Sequence, residues 1–229
     1  MDPNEKFIND LERLYEESPD HVKAFVYVGG SIEPSMIHRS PKKNDITIAA
    51  DSGYNNAVKL GVKPDYAVGD FDSFPEKKIP SDVEKLSVPS EKDFTDTMLA
   101  VDIAVEKGAR EIIIIGGLDG RLDHTLSNMS ILEMLAERHI YATIEDGKNR
   151  VRFIKQTSTL IPRSKYKYLS VIAADEKVKG VSIEGCKYPL SNATLKKNKQ
   201  YAVSNEIEGN VALISVKKGG LFIIESGDR

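Results

Sequence analysis

The sequence contains a single cysteine, Cys186, and no tryptophan among its 229 residues. A lone thiol excludes an intrachain disulfide and a cysteine-rich metal site, and in strand-like sequence it predicts a small buried packing residue. The net charge is only −3, which disfavours nucleic-acid binding through a strongly basic surface but leaves a local basic patch open. No apolar run approaches the ~18 to 20 residues of a membrane-spanning helix, so no membrane association is expected. The first residues are acidic rather than basic, which disfavours a targeting peptide and predicts a cytoplasmic protein.

The first part of the chain alternates short apolar segments with segments of helical periodicity. An amphipathic helix is predicted over 7–15, and further helices over 56–60, 95–107 and 126–138. The predicted strands cover 24–28, 46–50, 66–68, 85–88 and 112–115. Apolar strands that alternate with helices predict a parallel sheet covered on both faces, here a Rossmann-like α/β domain over 1–146.

Helical periodicity disappears after about Asp146, and short β-rich stretches follow one another. They cover 151–154, 168–173, 178–183, 194–195, 200–204, 211–216 and 221–224. Turn residues separate these stretches, so the sequence predicts an all-β sandwich domain over 147–229.

Aspartates gather in the loops that follow the predicted strands of the first domain. They are Asp51, Asp70, Asp72, Asp93, Asp96, Asp119 and Asp123. In an open parallel sheet such loops meet at the carboxyl edge of the strands, where ligands bind. Clustered carboxylates repel one another and therefore require a counter-charge, for which Mg²⁺ bound to substrate phosphates is the usual solution.

Two pairs of these aspartates have a simple structural alternative. Asp70 and Asp72 would project to the same side of an extended segment, as a metal clamp requires, but a polar turn with a helix cap has the same pattern. Asp93 and Asp96 stand at a predicted helix start, where aspartate commonly acts as a cap. The adjacent Lys92 favours a polyphosphate site, because a cation beside metal-binding acids would pair with phosphate oxygens.

Segment 116–124 combines several groups suited to phosphate chemistry. Two glycines allow the backbone to turn after a strand, Arg121 can form paired hydrogen bonds with phosphate oxygens, and Asp123 and His124 open the next helix. The sequence contains neither a Walker A motif nor a G-x-G-x-x-G fingerprint. The two motifs that would identify a P-loop kinase or a dinucleotide-binding enzyme are therefore missing, which disfavours both functions.

Four motifs occur in a fixed order: ADSG at 50–53, PDYAVGDFDS at 64–73, KDFTD at 92–96 and GRLDH at 120–124. Together they resemble the signature of the thiamine pyrophosphokinase family, and GCKYPL at 185–190 and SNE at 204–206 are similar to its C-terminal part. The resemblance implies Mg²⁺-dependent transfer of a pyrophosphoryl group from ATP to the hydroxyl of thiamine, giving thiamine diphosphate and AMP. It also implies a nucleotide-binding α/β domain, a thiamine-binding β-sandwich, and a homodimer with active sites between subunits.

The resemblance also assigns roles to individual residues by position. Asp70, Asp72 and Asp96 would bind Mg²⁺, and the implied catalytic residues are Asp70, Asp72, Asp96, Arg121 and Asp123. The implied ATP-binding residues are Asp51, Gly53, Asp70, Asp72, Ser73, Lys92, Asp93, Thr95, Asp96, Arg121 and His124. The implied thiamine-binding residues are Asp96, Asp123, Ser204, Asn205 and Phe222. Asp96 and Asp123 are also the candidates to accept the proton of the thiamine hydroxyl.

The sequence departs from the family pattern at a few positions. Ser52 and Tyr54 make the loop after the second strand bulkier than the usual Asp-Gly-Gly, and Asp119 adds an acid where a small residue is common. Many relatives stack a tryptophan on the thiamine ring, and here Phe222 would take that place unless it belongs to the β-sandwich core.

Other functions compatible with the acidic loops are a pyrophosphokinase for another alcohol, a Mg²⁺-dependent phosphohydrolase and a non-catalytic thiamine or nucleotide sensor. A sensor would not need so many uncompensated acids, and metal-dependent turnover separates it from the enzymes.

Overall fold

The computed structural model of the protein describes residues 22–69, 79–87 and 94–227. The described chain divides into two compact units, residues 22–147 and residues 148–227. The helix predicted over 7–15 lies outside the described residues. In the described part of the chain, no helix is long and apolar enough to cross a membrane.

The unit of residues 22–147 is built on a parallel sheet. Its strands are β1 (Lys23–Tyr27), β2 (Ile46–Ala50), β3 (Tyr66–Gly69), β4 (Glu84–Ser87), β5 (Glu111–Ile115) and β6 (Tyr141–Glu145). They pair in the order β4-β3-β2-β1-β5-β6, and every pair is parallel. Strands β2 to β4 are added on one side of β1, and β5 and β6 on the other. The loops after β1 and β5 therefore leave the sheet at a topological switch point.

Burial explains why these segments form strands. All five residues of β5 are buried, and four of them are consecutive isoleucines, as expected for a strand covered on both faces. The strands predicted over 24–28, 46–50, 66–68, 85–88 and 112–115 are confirmed, with ends shifted by no more than one residue. Strand β6 was not predicted, because it follows a helix directly and precedes the change in sequence pattern.

Among the described residues of this unit, three α-helices connect the strands: α1 (Gly53–Lys59), α2 (Asp96–Glu106) and α3 (Leu122–Glu137). The hydroxyl of Thr95 caps α2 by accepting the backbone N–H of Met98 at 3.2 Å. Helix α2 contacts β1, β2 and β3, and α3 contacts β6. Helix α3 begins four residues before the start predicted at 126, because the exposed polar residues of its first turn hide its periodicity.

The regular secondary structure of residues 148–227 consists of β-strands. They are β7 (Asn149–Lys155), β8 (Ser158–Pro162), β9 (Tyr168–Ala173), β10 (Lys177–Glu184), β11 (Leu190–Lys196), β12 (Val211–Ser215) and β13 (Gly220–Ser226). Strands β7, β13 and β9 pair antiparallel in that order, and β11, β10, β12 and β8 form an antiparallel four-stranded sheet. One apolar core includes residues of both groups, among them Leu221 and Ile214. The coarse prediction of an α/β part followed by an all-β part is confirmed.

Two details of this unit differ from the sequence prediction. The strand predicted over 200–204 is wrong, because the side-chain amide of Gln200 pairs with the backbone of Ala173 and Ser204 has a φ of 57°. Strand β8 was not predicted, since only one of its five residues, Ile161, is buried. Cys186 is a buried free thiol, as predicted.

Candidate active site

A cavity of about 510 Å³ lies at the switch point between β1 and β5. The loops after β1, β2 and β5 and the first residues of α2 and α3 form its walls, all within the unit of residues 22–147. Five of the residues predicted to bind ATP line it: Asp51, Thr95, Asp96, Arg121 and His124. Asp119 also lines it, so the extra acid noted in the sequence belongs to the same cavity.

Other predicted ATP and metal residues lie outside the described residues. They are Asp70, Asp72, Ser73, Lys92 and Asp93, and their roles stay predictions. Among residues 22–69, 79–87 and 94–227, no group of three or more His, Cys, Asp or Glu side chains could hold a metal ion. Two of the three predicted Mg²⁺ ligands, Asp70 and Asp72, lie outside these ranges.

Gly53 is the buried first residue of α1 and has a packing role that the sequence did not indicate. A Cβ atom at this position would lie 2.1 Å from the carbonyl oxygen of Tyr27, so only glycine lets α1 approach β1 this closely. Its predicted contact with ATP stays a prediction.

Asp51 follows β2 in a left-handed conformation, with a φ of 45°. Its backbone N–H donates to the carbonyl of Val68 at 2.8 Å, and its Oδ1 atom is buried without a hydrogen-bond partner in the described part of the chain. A buried carboxylate oxygen without a partner is costly unless a ligand donor or a cation completes it. Asp51 is therefore suited to a bound ligand or metal ion.

Arg121 and Asp123 form an ion pair at the start of α3. The two side chains are exposed, and Asp123 also accepts the backbone N–H of His124 at 2.9 Å. The hydrogen bond from Arg121 lowers the pKa of Asp123 below its usual value, and the same bond raises the pKa of Arg121. Both groups are consequently charged at neutral pH, and the carboxylate lies favourably at the positive end of a helix.

Two asparagines were not identified from the sequence: Asn56, which is bonded to the loop after β1, and Asn128, which lines the cavity. They lie on the buried faces of α1 and α3, with 2% and 4% of their surface exposed. Asparagine is a poor residue for a helix interior, so its presence on an apolar helix face is a usable signal of tertiary hydrogen bonds.

The predicted thiamine residues Ser204, Asn205 and Phe222 belong to the other compact unit. Ser204 is exposed, and its backbone N–H donates to the hydroxyl of Ser170 at 3.0 Å. Asn205 is buried: its Oδ1 accepts the N–H of Tyr188 at 3.0 Å, and its Nδ2 donates to the Tyr188 carbonyl at 2.8 Å. The two C-terminal motifs of the sequence therefore contact each other through Asn205.

Phe222 is 8% exposed, and its ring packs edge-on against that of Phe153 at a centroid distance of 5.0 Å. This contact gives Phe222 a packing role. The thiamine contacts predicted for Ser204, Asn205 and Phe222 stay predictions.

Two family models match the chain. The model for the thiamin pyrophosphokinase catalytic domain matches residues 37–144, and that for the thiamin pyrophosphokinase vitamin B1 binding domain matches residues 157–221. Thiamine pyrophosphokinase from Bacillus subtilis is 32% identical over 191 residues, which cover 81% of this chain and 89% of the relative. Thiamin pyrophosphokinase 1 from Caenorhabditis elegans is 26% identical over 190 residues, 78% of each chain.

Solved structures agree with these sequence relatives. The crystal structure of Bacillus subtilis thiamine pyrophosphokinase has a TM-score of 0.81 and 28% identity, and the match covers 91% of this chain and 100% of that one. The Geobacillus thermodenitrificans enzyme has a TM-score of 0.79 and 28% identity, with 90% and 98% covered. The resemblance carried by the four motifs is confirmed, and the chain belongs to the thiamine pyrophosphokinase family.

Proposed function

We propose that the cavity between β1 and β5 is the place where this chain performs the reaction of its family. In that reaction the pyrophosphoryl group of ATP passes to the hydroxyl of thiamine, giving thiamine diphosphate and AMP. The observation that carries the assignment is the convergence of Asp51, Asp96 and Arg121 on one cavity at a switch point. All three lie within the part of the chain that the catalytic-domain model matches.

The polyphosphate of ATP would lie among the loops after β1 (Gly29, Gly30) and β5 (Gly117), Arg121 and the start of α2. Arg121 can direct hydrogen bonds at two phosphate oxygens at once. Thr95 caps α2 through Met98, which fixes the positive end of that helix at the cavity. Asp51, Asp70, Asp72, Ser73, Lys92, Asp93 and His124 complete the proposed ATP site.

The donors at the cavity fit a magnesium ion. The buried Oδ1 of Asp51 and the carboxylate of Asp96 are oxygen donors of the kind that Mg²⁺ prefers. We assign Asp70, Asp72 and Asp96 as the residues that would hold the ion. When bound, Mg²⁺ would neutralise charge on the phosphate oxygens and orient the triphosphate.

The proposed chemistry is a single in-line displacement without a covalent enzyme intermediate. The thiamine hydroxyl oxygen attacks the β-phosphorus, the bond to the AMP oxygen breaks, and Arg121 stabilises negative charge on the phosphoryl oxygens. Asp96 and Asp123 are the proposed acceptors for the hydroxyl proton. The hydrogen bond from Arg121 lowers the pKa of Asp123, which makes it a weaker base than an unpaired aspartate.

For thiamine we propose contacts with Asp96, Asp123, Ser204, Asn205 and Phe222, in an active site formed between the subunits of a homodimer. The vitamin B1 binding model covers Ser204 and Asn205, and Phe222 is one residue beyond its end. Asn205 would act by holding the segment around Tyr188, because its side-chain amide is bonded there.

The finer architecture and the location are also proposals. We infer a Rossmann-like domain over 1–146 with helices on both sheet faces, and a β-sandwich over 147–229. The packing of Tyr54 and Ala57 of α1 against alternate residues of the sheet supports the first, and the shared core of the two antiparallel groups supports the second. We also propose a cytoplasmic location.

The test is to incubate the full chain with Mg²⁺, ATP and thiamine, separate the nucleotides and assay thiamine diphosphate. AMP and thiamine diphosphate in equal amounts are expected, and a chelator should abolish both. ADP as the product would contradict pyrophosphoryl transfer. AMP without thiamine diphosphate would indicate hydrolysis or another alcohol, and binding without turnover would indicate a sensor.

A further inference from the structure

Two buried asparagine side chains are bonded to the two glycine loops of the cavity. From α1, Nδ2 of Asn56 donates to the carbonyl oxygens of Val28 at 2.8 Å and Gly30 at 2.9 Å. From α3, Nδ2 of Asn128 donates to the carbonyl of Gly117 at 3.0 Å. Each loop is thus attached to a helix of the same unit.

The two loops are also bonded to each other. The N–H of Gly117 donates to the carbonyl of Gly29 at 2.9 Å. A Cβ atom at Gly117 would lie 2.5 Å from Nδ2 of Asn128, and one at Gly116 would lie 2.7 Å from the Val28 carbonyl oxygen. The approach of the loops and the asparagines therefore requires glycine at both positions, and the arrangement has little room to change.

These bonds occupy carbonyl oxygens of both loops and leave two amides of the loop after β1, those of Gly29 and Gly30, available. The carbonyls of residues 28–30 and of Gly117 each accept a hydrogen bond. By contrast, the N–H groups of Gly29 and Gly30 donate to no acceptor in the described part of the chain. Carbonyl oxygens repel a phosphate and amide N–H groups bind it, so the direction of these peptide groups decides whether the cavity accepts a polyphosphate.

We propose that Asn56 and Asn128 are positioning residues for ATP. By binding the loop carbonyls they keep these oxygens away from the polyphosphate and turn the amides of Gly29 and Gly30 towards it. The inference rests on the proposed function and adds two residues for which the resemblance gives no role. It also explains why each helix carries a residue that lowers helix stability, since most apolar residues would stabilise either helix more than asparagine does.

The first experiment removes the donors without leaving a cavity. Asn56→Leu and Asn128→Leu keep the branched shape of the side chain, with a larger volume, and lose the N–H groups, while Asn55→Leu and Ser130→Leu place leucine at exposed positions of the same helices as controls. The Kd of ATP and of AMP, the KM of thiamine and the Tm are measured for each variant.

We expect the Kd of ATP to rise about tenfold in both buried variants, the size of effect that one or two lost hydrogen bonds produce. The Kd of AMP should change much less, since AMP carries a single phosphate, and the KM of thiamine and all values for the control variants should stay unchanged. An equal loss of ATP and AMP affinity, or a fall in Tm with unchanged ATP affinity, would show a structural role alone and overturn the proposal.

A second measurement needs no variant and applies even if a leucine variant fails to fold. In wild-type protein labelled with ¹⁵N, addition of ATP should shift the amide resonances of Gly29 and Gly30. Unmoved glycine amides at saturating ATP would overturn the inference. Wild-type turnover in the same samples separates the two proposals: product with unmoved amides contradicts this inference alone, whereas moved amides without product contradict the proposed function alone.

Discussion

Arg121 and Asp123 form a two-point ion pair, with Nη2 and Oδ2 separated by 2.6 Å and Nε and Oδ1 by 3.2 Å. This contact uses two of the five N–H groups that a guanidinium carries, so three remain for a ligand. A phosphate can therefore bind Arg121 without breaking the pair. The carboxylate holds the guanidinium in one orientation before ATP arrives, which reduces the ordering that binding requires.

We expect Arg121→Lys to lower kcat/KM for ATP about 10- to 100-fold, because lysine cannot form the paired hydrogen bonds of arginine. The Tm should not change, since the pair is exposed. Steady-state kinetics and thermal unfolding check this expectation. Asp123→Asn, which keeps an oxygen acceptor for Arg121, should cost less, and an equal or larger loss would instead assign the proton-accepting role to Asp123.

Asp72→Asn is expected to abolish formation of AMP and thiamine diphosphate while the fold remains intact. The physical reason is the loss of one of the three carboxylates proposed to hold Mg²⁺. Product assays over a range of Mg²⁺ concentrations, with circular dichroism as the fold control, make the measurement. Near-normal turnover in a normally folded variant would remove the metal role assigned to Asp72.

Gly53→Ala should destabilise the protein by about 1–3 kcal/mol, the usual cost of forcing an extra methyl group into a packed site. The added Cβ would meet the backbone oxygen of Tyr27 at 2.1 Å, and a backbone atom cannot rotate away as a side chain can. Urea unfolding measures the loss. Gly227→Ala is the matched control, because nothing lies within 4 Å of its Cβ position, and equal stability of the two variants would contradict the packing role.

Phe222→Leu separates stacking on thiamine from packing in the β-sheet. If Phe222 takes the place of the family's tryptophan, the KM of thiamine should rise several-fold while the KM of ATP stays constant. Phe153→Leu removes the other ring of the same edge-on pair and should lower only the Tm. The same effect on Tm and no effect on thiamine in both variants would assign Phe222 to packing.

Cys186 should be unreactive in the native protein near pH 8. Burial raises the pKa of its thiol to about 11, from an ordinary value near 9, so very little thiolate is present. Since the folded state favours the neutral thiol, this contribution to stability is present below pH 9 and is lost as the pH rises towards 11. Reaction with a chromogenic disulfide should be slow without urea and fast with it, and equal rates would contradict the burial.

The sequence predicted the elements that are apolar throughout and failed where partners lie far away in the chain. The isoleucines of β5 predict a buried strand without knowledge of its neighbours. Asn56 and Asn128 donate hydrogen bonds to carbonyls that lie 28 and 11 residues away in the chain, and no local sequence pattern shows such partners. The strand predicted over 200–204 failed for the same reason, since Gln200 pairs through its side chain with Ala173.

The candidate site shows a similar division. Aspartates after strands predicted a ligand edge, because parallel strands end on the same side. Which loops meet depends on the strand order, and alternation of strands and helices does not determine that order. Asp51 and Asp96 share a cavity with Arg121 only because β1 lies between β2 and β5.

The central position of β1 also has a consequence during synthesis of the protein. On one side β1 pairs with β5, where Lys23 lies opposite Glu111. Strands β2, β3 and β4 are all synthesised before β5. A nascent chain that ends before residue 111 therefore has an open hydrogen-bonding edge on β1, four of whose five residues are buried in the complete protein, and such edges pair readily with other chains. The free edge of β1 closes only when β5 has been translated, and that of β5 only when β6 follows it.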